Sequence, residues 1–350
     1  MSVAKTNRML LLGLLTLALL ACTGRSNAVF RDEFLAMGTL VSVSLYGVEE
    51  ARVPGISRQI RDDFNYMDGA WHPWKAGPLG RVNELLPLQG RFSLPPSLKP
   101  VLLQARELSR QSEGLFNPAI GALVKLWGFH RDEAPTGPPP SAAAIAELVA
   151  QKPSMDDLHI EGFGIRSDNP AVLLDFGGFA KGYAIDRVIE RLKSLGIDNV
   201  IVNAGGDLRA IGSKGDEPWR FGVRHPRAGG VLASLEIRGD ESVFTSGDYE
   251  RFYEYQGRRY HHIIDPRSGY PARDFVSVTV VHASAAVADA ASTALFVAGK
   301  RDWRRIAARM GVAQVMLVDA QGEIMLTPAM AERIHFEVEP RPPVRVESLP

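Results

Sequence analysis

Alternating hydrophobic and polar residues predict strands along much of the chain. In residues 30–46, apolar side chains from Val41 to Leu45 alternate with serines, which is typical of a strand with one buried face. Aromatic residues on either side of a Gln256-Gly257 turn predict a β-hairpin. Further alternating or apolar runs predict strands at 160–168, 171–175, 197–202, 231–237, 276–281, 315–318 and 324–326. We expect the runs 160–168 and 171–175 to pair as a hairpin.

Apolar residues that recur every three or four positions predict helices between these strands. The pattern covers 56–67, 97–112 and 142–149, the segment after Gly182, and two stretches near the end of the chain, at 289–299 and 303–310. Proline and glycine crowd residues 131–141, which predicts a solvent-exposed loop. The last residues, 339–350, are rich in Pro, Arg and Glu and are predicted to be a flexible tail.

Size and charge set broad limits on function. The chain has 350 residues and 45% hydrophobic content, enough for one large or two modest buried cores. Lys and Arg together number 40, as do Asp and Glu, so no overall charge attracts nucleic acid. Binding is therefore expected at local sites.

The first residues have the pattern of a bacterial export signal. Two basic residues precede an apolar run at 9–20, which is too short to span a bilayer comfortably. A small alanine and the chain's one cysteine, Cys22, follow and resemble the lipobox of bacterial lipoproteins. An ordinary signal peptide with an incidental cysteine is the alternative. The lipobox predicts a signal peptide at 1–21, a lipidated linker at 22–29, and a protein anchored on the periplasmic side of either the inner or the outer membrane.

Three oxygen-bearing residues near the end of the chain suggest a metal site. Asp289, Ser292 and Thr293 stand at i, i+3 and i+4, which places them on one face of a helix. Their oxygens are the donors that Mg²⁺ prefers. Alternatively, Asp289 caps or charges the first helical turn, and the two hydroxyls bond back to their own helix.

Two glycine-rich turns follow predicted strands. Residues 175–182 open a helix with glycines and include Lys181, a combination that suits phosphate because the positive end of the helix dipole lies there. Residues 203–207 carry a second glycine pair. Neither turn matches the dinucleotide or the Walker A fingerprint, and a purely structural glycine turn is the alternative.

A loop at 71–78 carries two tryptophans, Trp71 and Trp74, among prolines and glycines. Large apolar rings in such a loop either stack on a flat ligand or pack onto their own domain. We include Trp71 among the candidate cofactor-binding residues.

In their order along the chain, six segments resemble the ApbE family of FAD:protein FMN transferases, over about residues 30–328. The matching segments are Ala36-Met37-Gly38-Thr39, Asp175-Phe176-Gly177-Gly178 with Ala180-Lys181-Gly182-Tyr183, Asn203-Ala204-Gly205-Gly206-Asp207, Thr245-Ser246-Gly247-Asp248-Tyr249-Glu250-Arg251, His262-Ile263-Ile264-Asp265-Pro266 with Gly269, and Ala288-Asp289-Ala290 with Ser292-Thr293-Ala294. Together these motifs are far more specific than any one of them.

The resemblance implies an α+β fold of the ApbE, T-fold-like kind, with mixed sheets, helices, and a cleft between subdomains for FAD. It implies an enzyme that uses Mg²⁺ at the FAD pyrophosphate, transfers FMN to a threonine hydroxyl of a partner protein and releases AMP. The expected partner is a secreted or membrane redox protein. The expected domain covers 30–328.

Residue by residue, the resemblance also implies roles in the site. Asp289 and Thr293, with Ser292, would ligate Mg²⁺ through their side chains, while Gly178 offers its backbone carbonyl. Positions that match flavin-nucleotide contacts, the last three more loosely, are Met37, Asp175, Lys181, Ile263, Leu115, Phe116 and Asn117.

The transfer needs a base for the acceptor hydroxyl, and His262 is our candidate. Asp265, or alternatively Asp248, is the candidate carboxylate that orients it. The alternative for His262 is that it only hydrogen-bonds the flavin or the hairpin.

The chain departs from the family pattern at two places. Asn117 stands where the family has an aspartate, and Trp71-His72-Pro73-Trp74-Lys75 replaces a tyrosine-serine loop. Asparagine cannot contribute charge or act as a base, and the altered loop fits a different acceptor or flavin binding without efficient transfer. Two other functions stay open: an FAD pyrophosphatase that yields free FMN and AMP, and a lipoprotein that binds FAD without turnover.

Overall fold

The computed structural model describes residues 28–131, 133–237 and 239–350. The predicted signal peptide at 1–21, Cys22 and most of the predicted linker lie outside these residues, so lipidation stays a prediction. Within the described ranges, no helix has the length and apolar character needed to cross a membrane.

The described chain forms strands and helices in mixed order. The strands are β1 (Val29–Ala36), β2 (Thr39–Tyr46), β3 (Phe92–Ser93), β4 (Leu158–Glu161), β5 (Gly164–Ser167), β6 (Val200–Ala204), β7 (Asp207–Ile211), β8 (Trp219–Arg224), β9 (Val231–Ile237), β10 (Glu241–Gly247), β11 (Phe252–Tyr255), β12 (Arg258–His261), β13 (Phe275–His282), β14 (Gln314–Asp319), β15 (Ile324–Leu326), β16 (His335–Phe336) and β17 (Val344–Val346). The helices are α1 (Val53–Trp71), α2 (Pro78–Leu85), α3 (Lys99–Gln111), α4 (Gly121–Leu126), α5 (Ala142–Ala150), α6 (Ala180–Ser194), α7 (Ala285–Arg309) and α8 (Pro328–Ala331).

A large sheet runs through the molecule in the order β1-β2-β6-β7-β10-β13-β14-β15-β17. Its neighbouring strands are antiparallel, except that β15 and β17 are parallel. Every residue from Phe275 to Val281 in the central strand β13 is buried, because both faces of the sheet are covered. The predicted α+β fold is confirmed.

Helices cover one face of this sheet. Phe244, Val278 and Val280 of the sheet share a core with residues of α6 and α7 such as Ile185 and Phe296. The two helices approach closely, and a Cβ on Gly182 of α6 would lie 2.3 Å from the Ala285 carbonyl oxygen of α7. A glycine is therefore required where α6 passes the start of α7.

The opposite face packs against a small sheet in the order β16-β9-β8. Val243 and Val281 of the large sheet share a second core there with Trp219 and Leu235. A third core joins the β11–β12 hairpin to α4 and α5. These layers leave a cleft at the end of the strands, where the glycine turns lie.

Some predicted elements were wrong. Residues 30–46 form a hairpin rather than one strand, because Met37 and Gly38 both have positive φ, of 51° and 72°, and make a two-residue turn. The hairpin predicted from 160–168 and 171–175 is instead β4 and β5, and Leu173 only bridges Ile120.

The two helices predicted at 289–299 and 303–310 are confirmed, because the helical geometry of α7 breaks at Gly299, where φ is 70°. One prediction changes near the end of the chain. The tail predicted to be flexible contributes residues 344–346 as β17, which pairs with β15.

Candidate active site

The cleft has a volume of about 1090 Å³ and gathers segments that are far apart in sequence. It is lined by the β1–β2 turn, the loop at 71–75, the turn at 115–118, the start of α6, the β6–β7 turn, the end of β10, residues 262–264 and the middle of α7. All six motif segments of the sequence analysis therefore contribute residues to one space.

The glycine turn before α6 lies against the oxygen-bearing face of α7. A Cβ on Gly178 would lie only 3.2 Å from Thr293 Oγ1. Buried Phe176 and Phe179 hold the turn in the core on either side of its glycines. The predicted phosphate turn and the predicted metal ligands are thus direct neighbours.

Asp289 is buried at this junction and lines the cleft. Its Oδ2 accepts a hydrogen bond of 2.9 Å from the Gly182 amide of α6, and Ser284, not Asp289, caps α7. Burial raises the pKa of Asp289 to about 7, although Lys181 opposes this shift. Burial destabilises the negative charge of this carboxylate, and a cation beside it would stabilise that charge.

The two hydroxyls on α7 differ in their surroundings. Ser292 is buried, donates to the Asp289 carbonyl oxygen at 2.9 Å, and lies 2.8 Å from Ser246 Oγ. It is not among the residues that line the cleft. Thr293 does line the cleft, and its Oγ1 lies 3.3 Å from Ser246 Oγ. For Ser292 the alternative of a bond back to its own helix is therefore observed.

The available cation donors are hard oxygens from Asp289, Thr293 and the Gly178 backbone. Among the described residues, no group of three or more His, Cys, Asp or Glu side chains is arranged to hold a metal. The donor set fits Mg²⁺, which usually keeps several waters and takes only one or two protein carboxylates alongside substrate phosphates.

Lys181 carries the positive charge beside Asp289. It forms an ion pair with Asp207, which also accepts a hydrogen bond of 2.8 Å from the Thr245 amide. Burial lowers the pKa of Lys181, but the charges of Asp207 and Asp289 outweigh burial and raise it, so the ammonium stays charged. Asp207 is a site residue that the sequence analysis did not select, although it ends the second glycine turn.

The first amides of α6 are mostly engaged within the protein. The Phe179 and Ala180 amides donate to the Phe176 carbonyl oxygen, and the Gly182 amide donates to Asp289. Because these donors are taken, phosphate charge at this turn would be met mainly by Lys181, the helix dipole and a bound cation.

His262 lines the cleft directly after β12. Its Nδ1 lies 3.2 Å from the Arg251 carbonyl oxygen, which can only accept, so Nδ1 carries the proton and Nε2 is free to accept one. Burial above all, together with the charges of His261, Arg251 and Lys181, lowers the pKa of His262 to about 3. The imidazole is therefore neutral at physiological pH.

The predicted orienting carboxylates do not reach His262. Asp265 accepts hydrogen bonds from the backbone and side chain of Arg267 and does not line the cleft. Asp248 is held by Arg227 at 2.6 and 2.7 Å. A local turn uses the Asp265 carboxylate, and a backbone carbonyl hydrogen-bonds His262 instead. The role of Asp265 stays a prediction.

The departures from the family pattern shape another wall of the cleft. Trp71 packs edge-on against Tyr183, with ring centroids 5.3 Å apart, and Trp74 packs edge-on against His130 at 5.5 Å. Asn117 donates to the Pro153 carbonyl oxygen at 2.8 Å and accepts from the Ala119 amide at 3.0 Å. Both ends of the Asn117 amide are thus used to hold its turn.

Most residues selected from the sequence meet in this cleft. Those that line it are Met37, Trp71, Leu115, Phe116, Asn117, Asp175, Gly178, Lys181, His262, Ile263, Asp289 and Thr293. Asp265 and Ser292 do not line it, and Cys22 lies outside the described residues.

Comparisons with known proteins agree on one family. The profile of the ApbE family matches residues 37–317. A Rhodobacter capsulatus protein named FAD:protein FMN transferase is 42% identical over 320 residues, which are 91% of this chain and 61% of that protein. The chain therefore spans about three fifths of that relative. A Klebsiella pneumoniae (strain 342) protein of the same name is 30% identical over 290 residues, 81% of this chain and 82% of that protein.

Solved structures give the same result. The ApbE protein of Thermotoga maritima MSB8 superposes with a TM-score of 0.79 at 30% identity, covering 89% of this chain and 100% of that one. The flavinyl transferase ApbE of Pseudomonas stutzeri, in its apo form, has a TM-score of 0.76 at 29% identity, covering 87% and 96%.

Proposed function

The chain belongs to the ApbE family, and from this premise we propose that it transfers FMN from FAD to a threonine hydroxyl of a partner protein, with Mg²⁺ bound and AMP released. The relatives named FAD:protein FMN transferase support protein flavinylation. The single observation that carries the finer proposal is the contact between the Gly178 turn and the Asp289–Thr293 face of α7.

This contact suits the diphosphate of FAD. Lys181 lies beside Asp289 with its charge fixed by Asp207, at the N-terminal end of α6. A cation held by the Asp289 carboxylate, the Thr293 hydroxyl and the Gly178 carbonyl would neutralise phosphate charge as the new bond forms. The protein groups then hold the phosphorus in a fixed position for attack.

His262 supplies the base. The threonine oxygen bonds to the FMN phosphorus, and the bond between that phosphorus and the bridging oxygen breaks. AMP leaves with that oxygen and its electron pair, while the threonine proton passes to Nε2 of His262. The imidazole begins neutral, as this step requires, and the negative charge of a bound diphosphate raises its pKa toward a value useful for catalysis.

Incubation of the mature protein with FAD, Mg²⁺ and a purified candidate acceptor tests the proposal. We expect flavin fluorescence on the acceptor in a denaturing gel, with AMP released in equal amount, and no label when the target threonine of the acceptor is replaced by alanine. Free FMN and AMP without a labelled acceptor would identify a pyrophosphatase. Unchanged FAD would identify a binding protein without turnover.

We also propose that lipidation of Cys22 anchors the mature protein on the periplasmic side of a membrane. The basic residues, apolar run and lone cysteine of the first residues support this location. Mass spectrometry of the mature N-terminus is expected to find a lipid on Cys22 of the wild type. The lipid is expected to be absent in Cys22→Ser. An unmodified N-terminus at another residue would contradict the anchor.

A further inference from the structure

Strand β8 forms one edge of the small sheet, whose order is β16-β9-β8. Among the described residues, β9 is the one strand that pairs with it. Exposed edges of this kind offer a row of unused backbone donors and acceptors to another chain, and natural proteins usually protect them.

The free edge of β8 borders the cleft. Arg220, Phe221 and Gly222 are consecutive, and all three line the cleft together with Arg224. Successive side chains of a strand point to opposite faces, so consecutive lining residues mean that the cleft meets the strand along its edge. Gly222 puts no side chain in the way of an approaching backbone.

Positive charge accompanies this edge. Arg220 is 80% exposed in its side chain, and its one ion pair among the described residues is with the partly exposed Glu236, at 3.2 Å. Arg224 has no ion pair within the described part of the chain, and its guanidinium lies 5.5 Å from the centre of the Tyr249 ring. A register shift between Val223 and Arg224 breaks the regular pairing of β8 with β9 at this point.

The edge leads to the proposed reaction centre. Tyr249, which Arg224 covers, lies two residues after the end of β10, and the Thr245 amide of β10 donates to Asp207. Asp207 in turn holds Lys181 beside Asp289. A chain laid along β8 would therefore lie in the same cleft as the groups that would hold the diphosphate.

We propose that the edge of β8 binds the target segment of the acceptor protein as an added strand, with acidic residues of that segment facing Arg220 and Arg224. This inference rests on the proposed function, because only a polypeptide substrate needs such a surface. Main-chain hydrogen bonds to β8 give affinity without fixing the sequence, and the two arginines favour acidic flanks.

Hydrogen exchange tests where the acceptor lies. The probes are two synthetic peptides with a central threonine among glycines and alanines, one with two added aspartates and one with two added lysines. We expect the acidic peptide to slow amide exchange in Trp219–Arg224 of the FAD-loaded protein, and the basic peptide to do so much less. Protection of β8 by FAD alone would assign the edge to the nucleotide and overturn the proposal, as would an acidic peptide that leaves β8 unprotected.

Charge reversal gives an independent readout that also separates this inference from the proposed function. In Arg220→Glu/Arg224→Glu, we expect the affinity for the acidic peptide to fall about tenfold or more, by the usual cost of like charges across an interface. FAD affinity, measured by flavin fluorescence, is expected to stay within about twofold of wild type. The matched control Arg301→Glu reverses a side chain that is 91% exposed and outside the cleft, and it is expected to change neither quantity. If the double variant and wild type bind the acidic peptide with equal affinity, the inference is overturned. If wild type does not bind FAD at all, the proposed function itself is overturned.

Discussion

Gly178 and Thr293 face each other so closely that a Cβ on Gly178 would lie 3.2 Å from Thr293 Oγ1. These residues come from different elements, the turn before α6 and the middle of α7. Their contact joins the Gly178 turn to the helix that also carries the buried carboxylate of Asp289, and all three residues line the cleft. The proposed chemistry depends on this junction.

Replacing Gly178 with alanine tests the contact by adding a single methyl group. In Gly178→Ala the new methyl group is tight against Thr293 Oγ1 and 3.7 Å from Phe116, so the hydroxyl must shift by a few tenths of an ångström. We expect the Mg²⁺ concentration for half-maximal AMP release to rise about tenfold, the scale for disturbed metal-ligand geometry.

Gly55→Ala is the control for this variant. A Cβ at Gly55, near the start of α1, meets no atom within 4 Å. The substitution is expected to leave Mg²⁺ dependence unchanged and to raise the free energy of unfolding by about 0.5 kcal/mol, since alanine favours helix. If both alanines alter Mg²⁺ dependence equally, the Gly178 contact has no special role.

Asp207→Asn tests whether the ion pair to Lys181 serves substrate binding. Asparagine keeps an oxygen for the Thr245 amide but removes the charge that holds Lys181. We expect the KM for FAD to rise about tenfold, because Lys181 loses its fixed position at the diphosphate. Steady-state AMP release measures this.

Asp319→Asn provides the matched control, since it removes another buried aspartate that pairs with a lysine, Lys300, at 2.6 Å. This pair lies outside the cleft. Asp319→Asn is expected to lower stability and leave the KM for FAD unchanged. If the KM for FAD rises equally in both variants, the effect of Asp207→Asn comes from the loss of a buried ion pair in general and not from the position of Lys181.

The low pKa of His262 predicts a pH dependence of stability. The folded protein keeps this imidazole neutral down to about pH 3, whereas in the unfolded chain it gains a proton below its ordinary value of 6.5. Between these values the unfolded state binds more protons, so the histidine's contribution to stability is present above pH 6.5 and is lost as the pH falls. The upper limit of the loss is about 1.4 kcal/mol per pH unit.

Urea unfolding of wild type and His262→Gln measures this contribution. All other titrating groups are present in both proteins, so their effects cancel in the difference between the two free energies of unfolding. We expect the free energy of unfolding of wild type, relative to the variant, to fall from pH 7 to pH 4. A constant difference would mean that His262 is not held neutral. The reverse slope would mean that it is held charged.

Local periodicity predicted much of the fold, and its errors have physical causes. The apolar residues Phe34 and Ala36 occupy even positions, whereas Val41, Val43 and Leu45 occupy odd ones. This change of parity marks the hairpin turn inside the segment that was predicted to be one strand. Strand β8 was not among the predicted strands. Its buried residues Trp219, Phe221 and Val223 alternate with exposed residues, so the sequence pattern of a strand is present there.

The site was partly predictable for a different reason. Helical spacing brought Asp289 and Thr293 together, and motif order selected most of the residues that line the cleft. The pairing of Lys181 with Asp207 joins two turns that are distant in sequence, so no local pattern reveals it. Asp265 was selected because it is near His262 in sequence, but it bonds within its own turn, as aspartates in such turns commonly do.

Ser292→Ala separates the two hydroxyls that were predicted as metal ligands. It removes bonds to Ser246 Oγ and the Asp289 carbonyl oxygen, and we expect it to cost about 1 kcal/mol of stability. Mg²⁺ dependence should be unchanged, because Ser292 does not line the cleft. A large change in Mg²⁺ dependence would return Ser292 to the ligand set.

The most direct test of the account is the Mg²⁺ dependence of AMP release from FAD in Asp289→Asn. Asparagine keeps an oxygen for the Gly182 amide, so the fold is retained while the carboxylate charge is lost. We predict that wild type saturates with Mg²⁺ and that the variant loses about a hundredfold in Mg²⁺-dependent turnover, at the upper end of the effect of altered metal-site residues. A variant that folds and shows the same Mg²⁺ dependence as wild type would contradict the account.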